Sequence, residues 1–150
     1  MQSLKSQLDK HTAGVIIISW GSMIRPDTLP LAKQKVLMES IRKFPNYLFV
    51  LKWPNNALPD QPKNLITREW LQQRDVLCHR NVKLFMTHGG LLGSSEAAHC
   101  GVPMLVTPFY GDQFLNAAAL ENRQVGLLLK YSEFTVDNIV NSWNRLLKQE

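Results

Sequence analysis

Runs of apolar residues recur along the chain, separated by more polar segments. AGVIIISW at 13–20 is rich in β-branched residues and is typical of a strand covered on both faces. YLFVLKW at 47–53 and KLFMTH at 83–88 have the same character. The strands predicted in this way are 13–20, 47–53, 64–69, 83–88, 103–108 and 125–130.

The segments between these runs have helical periodicity. Leu37, Ile41 and Phe44 recur at i, i+4 and i+7, which predicts an amphipathic helix. Asp112 is expected to cap another helix, because a carboxylate at that position accepts from free backbone N–H groups. Further helices are predicted at 93–100, 112–124 and 135–149.

The order of these elements indicates the class of fold. Alternation of strand and helix predicts an α/β, Rossmann-like fold, with a mostly parallel sheet and helices on both faces. Ligands of such sheets bind beyond the carboxyl ends of the strands. Here that rule points to 21–22, 88–93 and 108–113.

Composition agrees with a folded domain. The chain has 150 residues, 45% of them hydrophobic, and 17 Lys and Arg against 12 Asp and Glu give a net charge of +5. These values exclude a disordered chain, and the length predicts a single domain over residues 1–150. Basic residues are scattered from Lys5 to Lys148, which disfavours a nucleic-acid surface, whereas a small anionic ligand suits the charge.

Membrane and cysteine signals are weak. No apolar run approaches the roughly 20 residues of a membrane span, and residues 1–10 lack a signal-peptide core, so we expect the chain to be soluble. Cys78 and Cys100 are too few and too far apart in sequence to indicate a metal cluster. The sequence leaves open whether they form a disulfide.

The densest chemical signal is THGGLLGSSEAA at 87–98, where a predicted strand runs into two glycines and a helix. A helix that begins there presents free N–H groups, and Gly89 and Gly90 let an anion approach the backbone. His88 adds a donor for phosphate. The alternative left open by the glycines alone is an ordinary turn in which they relieve φ strain.

Three other kinds of site fit the residues less well. A dinucleotide-binding dehydrogenase needs G-x-G-x-x-G after the first strand, which instead continues as WGSM. A hydrolase triad would lack the G-x-S-x-G motif. A metal site lacks helical i, i+4 ligand spacing. The triad would use Ser22 or Ser94 with His88 and Asp112, and the metal site would draw on Cys78, His79, His88, His99 and Cys100.

Residues 70–120 closely resemble the signature of UDP-glycosyltransferases. WLQQ, THGG, E, GVPM and DQFLN follow one another in the family's order and spacing, and VIIISWGSM resembles its first strand and Gly-Ser turn. GGLLG is more similar to invertebrate members. Gln72 stands where the family usually has Pro, and Leu91, Leu92 and Gly93 replace the stretch that carries a phosphate-binding Asn.

The resemblance implies the C-terminal, donor-binding half of an inverting GT-B glycosyltransferase. The family's catalytic base lies in an N-terminal acceptor domain, so no catalytic residue is assigned here. We expect a separated domain, beginning at Met1, that binds UDP weakly and transfers nothing without its partner domain. The full-length protein is expected in the endoplasmic reticulum membrane, on the lumenal side, held by a C-terminal helix absent from this chain.

The implied donor is a UDP-sugar, with UDP-glucose favoured and UDP-glucuronic acid second. The implied reaction moves the hexose to a hydroxyl of a small lipophilic acceptor, without a cofactor or metal. Two alternatives remain open: a non-catalytic nucleotide-sugar binding module and, less favoured, a basic nucleic-acid-binding domain that depends on the positive charge.

The resemblance also implies roles for particular residues. Trp70 would stack on uracil, with a half-buried core aromatic as the alternative, and Glu96 would bind the ribose hydroxyls, with a solvated helix carboxylate as the alternative. No catalytic role is assigned to Cys78, His79, His99 or Cys100. The predicted UDP-binding residues are Gly21, Ser22, Trp70, Leu71, Gln73, His88, Gly89, Gly90, Ser94 and Glu96, and the predicted sugar-binding residues are Asp112 and Gln113.

Overall fold

The sheet is entirely parallel. The computed structural model describes residues 3–21, 26–54, 58, 61–69, 71–109 and 112–148. Its strands are β1 (Val15–Ser19), β2 (Leu48–Lys52), β3 (Leu65–Arg68), β4 (Val82–Thr87), β5 (Met104–Val106) and β6 (Gly126–Leu128). Within these residues they form one six-stranded sheet in the order β3-β2-β1-β4-β5-β6. The predicted α/β fold class and all six predicted strands are confirmed.

Helices cover both faces of the sheet. Those of the described residues are α1 (Leu4–Lys10), α2 (Leu31–Arg42), α3 (Gln73–Leu77), α4 (Leu91–His99), α5 (Asp112–Asn122) and α6 (Val136–Leu147). Helix α2 ends before Phe44, which was expected on its apolar face and packs in the core from the following turn. Helices α1 and α3 were not predicted.

Two apolar layers hold the helices to the sheet. Helices α2 and α6 pack on one face, through residues that include Leu37, Ile41 and Trp143. The other four helices pack on the opposite face, with Leu8 of α1, Leu77 of α3, Ala97 of α4 and Ala117 of α5 in the same apolar cluster. Strand residues alternate between the two layers, which is why the strand runs are apolar throughout.

A disulfide joins α3 and α4 at their carboxyl ends. Cys78 follows α3 and Cys100 follows α4, and their Cα atoms lie 4.9 Å apart. The sequence left this pairing open because the two residues are 22 positions apart. The bond fixes two helices that both contribute residues to the cleft described below.

Candidate functional site

A cleft of about 680 Å³ opens at the carboxyl edge of the sheet. Its walls include residues from the ends of β1, β2 and β4 and from α3 and α4. The chain reverses its direction of progress across the sheet between β1 and β4, and parallel sheets bind ligands at such a point. The volume lies within the range of about 300–1,000 Å³ that small-molecule sites occupy.

The floor of the cleft is one row of side chains across three strands. Ser19 pairs with Thr87, and Lys52 extends the row on β2 because Ile18 pairs with Leu51 one position earlier. Side chains in one row of a parallel sheet project from the same face. Ser19, Thr87 and Lys52 accordingly all line the cleft.

The imidazole of His88 lies in a slot between two glycines. A Cβ atom on Gly90 would lie 2.5 Å from Nε2 of His88, and one on Gly21 would lie 3.0 Å from the same atom. Gly21 also has a φ of 79°, which favours glycine. The two turns therefore fix the ring at the carboxyl ends of β1 and β4.

Helix α4 begins directly after Gly89 and Gly90. Gly90 is extended and precedes Leu91, the first helical residue, two positions earlier than the sequence indicated. No side chain caps this terminus, and the N–H groups of Leu91, Leu92 and Gly93 precede the first bond within the helix, which Ser94 donates to the carbonyl of Gly90. Leu91, Leu92 and Gly93 line the cleft, so the positive end of the helix dipole faces it.

The surroundings of His88 favour its neutral form. Burial lowers the pKa of His88 below its ordinary value of 6.5, and the positive charge of Lys52 lowers it further. An anion beside the ring would oppose both effects, because it stabilises the imidazolium.

The glycine loop is tied to α5. The Asn116 amide donates to the carbonyl of Gly89 at 3.0 Å. A Cβ on Gly89 would lie 2.9 Å from the Val106 side chain and 3.1 Å from the carbonyl of Gln113, and its φ is 91°. Only glycine fits this close approach of β4, β5 and α5. The position of His88 thus depends on packing well outside the cleft.

The opposite end of the cleft lies between α3 and α4. Leu71 precedes α3 and is buried, Gln73 is its first residue, and Glu96 projects from α4. A Cβ on Gly93 would lie 3.0 Å from the Gln73 amide nitrogen. The helices are therefore close enough for an amide and a carboxylate to face one ligand.

The structure brings most predicted site residues together and separates two. The residues that line the cleft are Gly21, Leu71, Gln73, His88, Gly90, Glu96 and Gln113. Gly89 is buried and is not among the lining residues, and the Ser94 hydroxyl is buried without a hydrogen-bond partner in the described part of the chain. The Gln113 side-chain oxygen accepts from the N–H of Phe109 at 2.9 Å. Ser22, Trp70 and the side chain of Asp112 fall outside the described residues.

Sequence reasoning did not assign the charged residues Lys52, Arg74 and Asp75, which also line the cleft. For Lys52 a signal was present, because it ends a predicted strand and the carboxyl ends of strands were the places to search. Arg74 belongs to α3, a helix of 5 residues that is too short to show a period.

Hydrogen-bond donors cluster at one end of the cleft and a carboxylate lies at the other. The first end suits a phosphate group, and the second suits hydroxyl groups. In the described ranges, no three His, Cys, Asp or Glu side chains are grouped as metal ligands, and no helix is long and apolar enough to cross a membrane.

Two curated proteins are similar to this chain in sequence. UDP-glycosyltransferase UGT5 of Dactylopius coccus is 38% identical over 146 residues, which are 97% of this chain and 28% of that protein. UDP-glucosyltransferase 2 of the same species is 35% identical over 136 residues, 90% of this chain and 26% of that protein. The chain thus spans about a quarter of the length of these curated relatives.

Solved structures show the same fold. A UDP-glucose: anthocyanidin 3-O-glucosyltransferase, crystallised in complex with UDP, matches with a TM-score of 0.77 and 30% identity over 97% of this chain and 34% of that one. The fold is that of the C-terminal domain of GT-B glycosyltransferases. A family model described as UDP-glucoronosyl and UDP-glucosyl transferase matches residues 6–150, and the chain belongs to this family.

Proposed function

We propose that the cleft binds the UDP portion of a UDP-sugar donor for glycosyl transfer. The observation that carries this proposal is the convergence on one cleft of residues that are distant in sequence: Gly21, Leu71, His88 and Glu96. Family membership and the UDP held by a structure 30% identical to this chain support the same ligand.

The end of the cleft that carries the hydrogen-bond donors suits the diphosphate. The N–H groups of Leu91, Leu92 and Gly93 point along the helix axis towards the cleft, and His88 stands beside them. The uridine then lies towards α3, beside Leu71 and Gln73, and Trp70 is proposed to stack on it. Glu96 accepts from the ribose hydroxyls, and the sugar extends towards Gln113 and Asp112.

The proposed reaction inverts the anomeric carbon. A base from the acceptor-binding domain takes the proton of the acceptor hydroxyl, whose oxygen forms a bond to that carbon. The bond from carbon to the β-phosphate oxygen breaks, and its electron pair leaves with UDP. Negative charge therefore grows on the diphosphate, where the α4 N–H groups and His88 stabilise it more strongly in the transition state.

The identity of the sugar, the acceptor and the cellular location are proposed from the family resemblance and the relatives. We propose glucose first, because one similar protein is named a UDP-glucosyltransferase, and glucuronic acid second, since the family description includes both. The acceptor is proposed to be a small lipophilic alcohol bound mainly by the other domain, and the full-length protein to lie in the endoplasmic reticulum membrane. The 150-residue chain alone is expected to transfer no sugar.

Calorimetric titration tests the ligand. We expect UDP and UDP-glucose to bind and NAD to give no heat. Glu96→Gln should weaken UDP about tenfold, because a hydrogen bond to a charged group contributes about 1.5–3 kcal/mol. Glu39→Gln, on exposed α2 surface, is the matched control and should bind as the wild type does. If both variants bind UDP with equal affinity, Glu96 does not contact UDP. If the wild type gives no heat of binding with UDP, the proposed function is refuted.

Donor affinity is expected to rise as the pH falls. The diphosphate stabilises protonated His88, so the pKa of His88 is higher in the complex than in the free protein, where burial and Lys52 lower it. Binding then takes up a proton, and affinity for UDP-glucose should increase by up to tenfold per unit of raised pKa between about pH 7.5 and 5.5. UDP-glucose is used because its diphosphate charge is constant over this range.

Titrations in buffers of different ionisation enthalpy measure the proton uptake directly. His88→Ala is the control and should show affinity that is independent of pH and heat that is independent of the buffer. A pH dependence that persists in His88→Ala would assign the effect to another group.

A further inference from the structure

We propose that the side chain of Lys52 binds the diphosphate of the donor and stabilises the negative charge of departing UDP. This inference rests on the proposed function and extends it to a residue outside the motif segment 70–120. Lys52 ends β2 and lines the cleft from the sheet side, opposite the amino terminus of α4.

The register of the sheet places Lys52 beside the phosphate end. It continues the row of Ser19 and Thr87 across β2, β1 and β4, on the face that carries α3 and α4. Neighbouring strands lie about 4.8 Å apart. The long stem of Lys52 therefore lets its ammonium group reach the space over β1, next to Gly21 and His88.

The other two members of this row are neutral hydroxyl groups that bind the backbone of the adjacent turns. The Ser19 hydroxyl accepts from the N–H of Gly21 at 3.5 Å, and the Thr87 hydroxyl accepts from the N–H of Gly89 at 3.4 Å. Both hydroxyl groups thus shape the two turns and carry no charge. Lys52 is the member of the row that brings a positive charge to the cleft.

The charges of the cleft are divided between helices and sheet. Asp75 and Arg74 lie on α3 and Glu96 lies on α4, towards the proposed nucleoside end. Lys52 acts on His88 electrostatically, which agrees with a position at the phosphate end. Burial and Lys52 both favour the neutral form of His88, so we assign the positive charge at this end of the cleft to Lys52.

The experiment compares Lys52→Gln with Lys83→Gln, a matched loss of one charge at an exposed position near the start of β4. UDP, uridine and inorganic pyrophosphate are titrated into each variant, and thermal unfolding confirms that both fold. Lys52→Gln should weaken UDP and pyrophosphate by about tenfold and leave uridine unchanged, since a charged hydrogen bond to phosphate is lost. Lys52→Arg should retain most of the affinity.

The outcomes distinguish the role of Lys52 from the proposed function of the cleft. Equal UDP and pyrophosphate affinities for Lys52→Gln and Lys83→Gln overturn the role of Lys52 and leave the proposed function standing. An equal loss of uridine affinity in Lys52→Gln also overturns it, because the effect is then not on the phosphates. Pyrophosphate binding that depends on Lys52, in a protein that fails to bind UDP, would support Lys52 and refute the proposed function. A wild type that binds none of the three ligands refutes both.

Discussion

Gly90→Ala is expected to weaken UDP binding by about one to two orders of magnitude without unfolding the protein. The backbone at Gly90 has a φ of −63°, which alanine adopts readily. The new Cβ, however, would lie 2.5 Å from Nε2 and 2.8 Å from Cε1 of His88. The imidazole must rotate away, so the complex would lose the proposed charged hydrogen bond from His88 to the diphosphate.

A double variant separates this explanation from general damage. In His88→Ala/Gly90→Ala the new methyl group has no ring to displace, so the affinity should equal that of His88→Ala alone. Titration of UDP into both single variants and the double variant gives the coupling between the two positions. Additive losses would show that Gly90 acts on the ligand directly rather than through His88.

Trp143→Ala is expected to lower the free energy of unfolding by about 3–5 kcal/mol, as large-to-small changes of buried aromatics do. Trp143 is 0% exposed and packs against Phe44 and Phe49, with ring centroids 5.5 and 5.1 Å away. It fixes α6 to the sheet on the face opposite the cleft. Urea unfolding measures the loss, which is a large share of the roughly 5–15 kcal/mol that stabilises a typical domain.

Trp143→Phe is the control for this substitution. The indole N–H has no hydrogen-bond partner within the described residues, so phenylalanine removes a buried donor together with part of the ring. We expect a loss below about 1.5 kcal/mol, because the aromatic packing is largely retained. A loss as large as that of Trp143→Ala would mean that the indole makes a specific contact that the structure does not show.

The pattern of apolar and polar residues predicted the strands and helices that are long enough to show a period. Strand β1 and the long helix α6 were recognised because an apolar run and a 3.6-residue period are visible in sequence. Helix α1 has Leu4 and Leu8 as its apolar pair, and α3 has 5 residues, too few to establish a period. Both pack in the same apolar layer, α1 through Leu8 and α3 through Leu77, and the Cys78–Cys100 bond also ties the end of α3 to the end of α4.

The family motif over residues 70–120 indicated more candidate residues of the cleft than the predicted strands and helices alone. Residues such as His88 and Glu96 follow the family spacing, and the structure places both in one cleft. Ser94 was predicted to bind phosphate in place of the Asn that this chain lacks, yet its hydroxyl is buried and has no hydrogen-bond partner among the described residues. Spacing along a helix does not report which side faces a ligand until the helix is packed.

The sequence by itself determined the alternation of strands and helices, the two-glycine turn after β4 and the family, because each depends on residues close together along the chain. Only the tertiary structure decided that Lys52 joins Ser19 and Thr87 in one row and that Cys78 meets Cys100. Those contacts depend on strand order and register, which are set by how whole elements pack and which no local pattern records.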